Sequence, residues 1–186
     1  GRFYTVNQGN PQGAADQLGY LSLANSAFIP VGTSLGSING VSGIIAIGVS
    51  TGGQTTGISH DPTTGRTYGV TLSGFLYEIN LATGAANPNA FGPNVGYRRI
   101  TMATGTNIGS IEDIAFSPTG VLYAVRNNIP PSTLGSIFVV DKVTGVASAP
   151  VDLPDSEFEG ISFGPDGLLY ASTGYGVETT PGNRNS

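Results

Sequence analysis

A chain of 186 residues with 39% hydrophobic and only 10% charged residues can bury the core of one domain, and that apolar content argues against disorder. Its net charge of −5, with Lys142 the single lysine among seven basic residues, argues against nucleic acid or an anionic membrane surface as partner. The absence of cysteine removes disulfides, thiolate metal sites and thiol catalysis together.

Glycine supplies 29 residues and proline 12, and the longest stretch free of both is the ten residues from Tyr20 to Ile29. A typical helix needs about eleven residues and tolerates neither type inside it. Short strands between tight turns are expected instead. In chain order the first is "GRFYTVN", followed by "LGYLSLANSA" and by the apolar run "GIIAIGVS". Then "TTGISHDP" ends at Pro62, "GRTYGV" carries Tyr68, "FLYEINLATG" closes on a Thr-Gly turn, and "YRRITMAT" follows a long loop. The same order returns as "IEDIAFSP", "VLYAV", "SIFVVDKVTG" and "ASAPVDL", and begins again as "FEGISFGP" and "LLYAS". Each Pro fixes φ at the start of a turn, and the Gly that follows accepts positive φ.

The turn glycines Gly65, Gly120 and Gly167 are spaced by 55 and 47 residues, and each unit holds four antiparallel strands. That period is the sequence mark of a propeller blade, whose sheet buries its faces only by stacking on its neighbours. The "P-x-G-x-L-Y" and "D-x-x-T-G" turns resemble bacterial β-propellers of the NHL-like and gluconolactonase-like kinds, along nearly the whole chain. The expectation is an all-β, propeller-like domain of about three and a half to four four-stranded blades, at residues 1–52, 53–108, 109–155 and 156–186. "GRFYTVN" enters the grid as a second strand, so the first blade lacks its first strand and the strand count leaves one second strand over. Three arrangements fit: a segment of a longer propeller, a strained four-bladed ring, or a polymer of open edges. The edge Phe3, Tyr4, Thr5, Val6 and Asn7 carries neither charge run nor proline to blunt it. It is expected either to close on Gly160–Phe163 of the same chain or to join another copy.

His60 is the only histidine, and it holds the register of Phe116 and Phe163, so it is expected to pack between blades. Glu112 and Glu159 share a position before the first strand, where Thr56 stands in the second blade. The gluconolactonase resemblance implies an acidic residue there that points into the channel and helps bind a divalent cation such as Ca²⁺; bonding to backbone N–H groups is the structural alternative. If "DSEFEG" is extended, Asp155, Glu157 and Glu159 share one face. Asp61, Asn80, Asp141 and Asp166 are expected to close turns; Arg98 and Arg99 adjoin on an expected outer strand, where a paired surface role is expected and acidic partners are the alternative. The long loops at 26–42 and 85–96 offer a ligand or self-association face. "STGGQTTG" has no following helix or lysine and is no phosphate loop.

A Ser/Thr/Asn/Gly-rich, lysine-poor composition points to export. No initiator Met or apolar run long enough to span a bilayer occurs, and a chain opening on "GRFYTVN" is expected to be a processed one. The leading expectation is a secreted, non-enzymatic subunit of an extracellular surface structure or filament. The alternatives are a propeller hydrolase or lactonase with a channel cation, and a carbohydrate-binding adhesive propeller that stacks tyrosines on glycans.

Overall fold

The computed structural model describes residues 2–7, 16–32, 37–40, 43–46, 54–127 and 134–173. Among them there is no helix. A first sheet joins β1 (Phe3–Asn7), β2 (Gln17–Leu21) and β3 (Phe28–Pro30) in that order. β4 (Ser37–Gly40) and β5 (Gly43–Ala46) form a separate antiparallel ribbon. The second sheet is β6 (Thr55–His60), β7 (Thr67–Thr71), β8 (Phe75–Ile79) and β9 (Tyr97–Arg99), four strands in sequence order. The chain then crosses over, and β10 (Thr101–Met102) runs parallel to a strand of the third sheet. That sheet contains β11 (Ile111–Phe116), β12 (Leu122–Arg126), β13 (Ser136–Val140), β14 (Val146–Ala147) and β15 (Val151–Asp152). A fourth sheet pairs β16 (Phe158–Phe163) with β17 (Leu169–Thr173).

The repeated second strands are thus the middle or edge strands of separate sheets: Tyr68, Tyr123 and Tyr170 lie in β7, β12 and β17. The outer strands depart from expectation for local reasons. The described part of "GIIAIGVS", Gly43–Ala46, pairs with β4 and not with the first sheet, and the rest of that run lies outside the described residues. Asn25 Oδ1 accepts the Ala27 N–H and Ser26 adopts φ 57°, a turn that brings Phe28–Pro30 straight back onto β2. In "ASAPVDL" Pro150 offers no N–H, and β13 pairs instead with the two short strands on either side of it.

Three apolar clusters lie between successive sheets. Leu18 of β2 meets Tyr77 and Ile79 of β8; Tyr68, Val70 and Leu76 meet Ile111, Ile114 and Phe116; Ala115 and Val125 meet Phe158 and Ile161. In β8 the alternation is visible, since Leu76 faces the third sheet while Tyr77 and Ile79 face the first. The second and third sheets are therefore apolar on both faces because each is covered on both, while the first and fourth are covered by a neighbouring sheet on one. In β11 and β16 the aromatic packs at a tilt against the tyrosine of the preceding sheet: Phe116 on Tyr68 and Phe163 on Tyr123, both with centroids 5.4 Å apart.

Candidate functional site

The first strands β6, β11 and β16 lie beside one another and are cross-tied by side chains. Thr56 Oγ1 donates to the Ile111 carbonyl at 2.7 Å, and the Phe116 N–H donates to Ser59 Oγ at 2.9 Å. From β16 the Ile161 N–H donates to Asp113 Oδ2 at 2.9 Å. All three strands carry a register shift at the same place, between Thr55 and Gly57, Ile111 and Asp113, and Phe158 and Gly160. The extra residues are Thr56, Glu112 and Glu159. A bulge turns one side chain out of the alternation, so Ile111 and Ile114 share a face although three positions apart, and Glu112 is freed from the core face.

Glu112 and Glu159 accordingly sit inside their strands, not before them. Burial pushes the Glu112 carboxyl above its ordinary range, and the Glu159 charge pushes it further the same way. Among the described residues no three His, Cys, Asp or Glu side chains converge as a metal-binding group. Asp155 lies in a bend where its carboxylate accepts the Ser156 N–H, so "DSEFEG" is not one extended face.

Asp113 is the central group that sequence reasoning passed over. Its Oδ1 accepts the Ile114 N–H at 2.8 Å while Oδ2 reaches Ile161 of the next sheet. Burial raises its pKa to about 6, against the lowering effect of those two N–H groups. The residues in the same column are Gly57 and Gly160, and a Cβ on Gly57 would lie 2.1 Å from Asp113 Oδ1. Two glycines flanking one aspartate in the repeat were the available signal. Together with Tyr4, Thr5 and Val6, Asp113 lines a cleft of about 250 Å³ beside β1.

The sign of its pH effect follows from the raised value. Folded Asp113 takes up its proton near pH 6, the unfolded carboxyl near 4, so its contribution is present below about pH 4 and lost as pH rises through 6. Between pH 5 and 7.5 the wild-type chain should lose about 1 kcal/mol more stability than Asp113→Asn. Urea denaturation at the two pH values measures this, and equal slopes would show Asp113 unperturbed.

No protein-family model matches the chain, and no curated protein matches it. Among solved structures, it is similar to a luciferin-regenerating enzyme, at 14% identity and a TM-score of 0.54, over 93% of this chain and 50% of that one. The fold is propeller-like. The chain spans about half the length of that protein. A glutaminyl cyclase from Myxococcus xanthus aligns over 92% of each chain at 15% identity, with a TM-score of 0.34.

Within the propeller-like array, the remaining expected residues fall into distinct roles. Asn80 and Asp141 close turns, accepting the N–H groups of Ala82 and Thr83 and of Val143 and Thr144. Asp166 closes its own turn through Leu168 N–H and also accepts the Tyr170 hydroxyl. Asp61 does more. It is fully buried, accepts from Thr63 and Thr64, and is ion-paired to Lys142 of the next blade. Burial works to raise its pKa, but Lys142 and the two threonines outweigh it and hold the carboxyl well below the usual range.

Arg98 meets carbonyls and not acids, donating to Val143 and Phe91, and Arg99 lies 4.4 Å from the Phe75 ring centroid. The loop at 85–96 folds back to place Phe91 beside Tyr68 and over the core; much of the 26–42 loop lies outside the described residues. His60 stands at the boundary of the first two sheets as its register requires, yet it is exposed, with Nδ1 3.0 Å from Thr67 Oγ1. Among the described residues β1 pairs with β2 and β16 with β17, and Phe3–Asn7 makes no ladder with Gly160–Phe163.

Proposed function

We propose that the chain is a secreted structural module that acts by assembly, as a subunit of an extracellular surface structure or filament. The observation that carries this reading is a contrast among register-equivalent tyrosines. Tyr68 is 4% exposed beneath Phe116, whereas Tyr170 is 56% exposed, and no aromatic ring among the described residues covers it. A further first strand bearing an aromatic at that position would cover Tyr170 as Phe116 covers the buried Tyr68 and Phe163 covers the half-buried Tyr123. At the other end β1 is an edge strand with Phe3 64% exposed. Such an edge is a template for another strand, and joining two unlike ends is heterologous, so it propagates unless the rotation closes. The match to half of a longer propeller-like chain supports completion by further blades. The Ser/Thr/Asn/Gly-rich, lysine-poor composition supports export.

Sedimentation velocity and electron microscopy on the full chain test this. Wild type should associate with concentration, and Tyr170→Lys and Phe3→Lys should each move the association at least tenfold higher. A wild-type chain that stays monomeric at every attainable concentration rejects the reading.

A second reading, a hydrolase or lactonase with a channel cation, is favoured by one observation: the Glu112 carboxyl is raised partly by the Glu159 charge, a repulsion that a divalent cation would relieve. Calcium titration of thermal stability separates the two. Under the assembly reading Tm does not move. A rise that disappears in Glu112→Gln/Glu159→Gln establishes the cation, since a ligand of the folded state stabilises it by linkage.

A further inference from the structure

We infer that the boundary between the first two sheets is a binding site for a small organic acid with a flat, apolar body, such as an aromatic carboxylate. At the next two boundaries the space is closed by a ring on a ring, Phe116 on Tyr68 and Phe163 on Tyr123. At the first, the same two register positions are held by Tyr4 and His60, and they stand on the walls of an open cleft of about 450 Å³. That volume lies within the range of small-molecule pockets.

The chemistry of the walls sets the ligand class. Phe3, Tyr4, Ile58 and Leu81 give the cleft its apolar sides, which suit a flat hydrocarbon face. Arg2 lines the same cleft; its guanidinium is 4.5 Å from the Tyr20 centroid, and no carboxylate among the described residues forms an ion pair with it. In a chain of net charge −5 this is a local positive site with no acid paired to it among the described residues. A guanidinium recognises a carboxylate with two parallel N–H donors. His60 commits only Nδ1, to Thr67, and keeps its second ring nitrogen for a polar ligand atom. An apolar groove with one cation at its rim that has no acid partner among the described residues is complementary to an aromatic acid. A neutral arene lacks the charge, and a sugar acid lacks the flat apolar face.

Isothermal titration of the full chain with 2-naphthoate, 2-naphthalenemethanol and glucuronate tests the site. The expected result is saturable binding of 2-naphthoate at least tenfold tighter than either comparator. Arg2→Gln should weaken 2-naphthoate at least tenfold and leave the alcohol unchanged. His60→Phe should abolish binding and raise Tm, because the new ring closes the cleft as Phe116 and Phe163 close theirs. If that variant fails to fold, Arg2→Gln alone decides. No saturable 2-naphthoate binding, equal binding by Arg2→Gln, or glucuronate bound more tightly would overturn the assignment. Phe3 belongs both to this cleft and to the β1 edge, so the titration is repeated on Tyr170→Lys, whose substitution lies away from the cleft, and binding retained there is read apart from self-association.

Discussion

Gly57→Ala is expected to cost about 3 kcal/mol, at the upper end of the usual range for overfilling a packed site. The added methyl would meet three atoms of the neighbouring inner strand, at 2.1 Å from Asp113 Oδ1, 2.8 Å from its Cα and 3.0 Å from the Ile114 nitrogen. Two of these are backbone, so relief requires β6 and β11 to separate, and with them the Thr56–Ile111 and Ser59–Phe116 hydrogen bonds. Gly160→Ala is the control. Its nearest contact is the Ser172 hydroxyl at 2.9 Å, the end of a side chain that can rotate away, and it should cost less than about 1 kcal/mol. Chemical denaturation of both variants measures the difference; equal costs would mean that the inner strands do not approach as closely as described.

Removing the partner of Asp61 is expected to be as severe. Lys142→Met should cost about 3 kcal/mol at pH 7, because a buried carboxylate is left without its countercharge. The pH dependence identifies the cause. A carboxyl held below its unfolded value contributes stability that is present above about pH 4 and lost as pH falls toward the folded value. The gap between wild type and Lys142→Met should therefore narrow steadily from pH 5 down to pH 2. Arg66→Met removes the other ion pair, to Glu78 at 3.4 Å, but that arginine side chain is 52% exposed and its loss should cost no more than about 0.5 kcal/mol. A Lys142→Met penalty that does not change with pH would assign the effect to lost packing of the lysine stem.

The contrast between these two ion pairs also shows where sequence reasoning ran out. Asp61 reads as a turn residue beside Pro62, and it is one, accepting the Thr63 N–H two positions on. That Lys142, 81 positions away, covers it depends on how the third sheet seats against the second. His60 illustrates the same division in reverse. Its register correctly places it at a blade boundary, but whether that boundary closes depends on the partner face, and Tyr4 and His60 do not close it as Tyr68 and Phe116 do.

Strand type and order were legible in the residues themselves. Alternating apolar runs bounded by Pro and Gly turns specify local backbone conformation, and these signals act over a few residues. Thus β6, β11 and β16, and the tyrosine-bearing β7, β12 and β17, are written in the repeat. The outer strands were not, because two runs of similar character compete for one edge: Phe28–Pro30 reaches it through a tight turn, while Gly43–Ala46 pairs within its own ribbon. The bulges at Thr56, Glu112 and Glu159 were also hidden, since an extra residue in a strand alters no local propensity and is defined only by its partner's register. Those bulges decide which carboxylate enters the core ties and which does not. Asp113 becomes the buried clamp between sheets and Glu112 its neighbour outside the alternation, a distinction set by the approach of three strands and by the absence of a Cβ at Gly57.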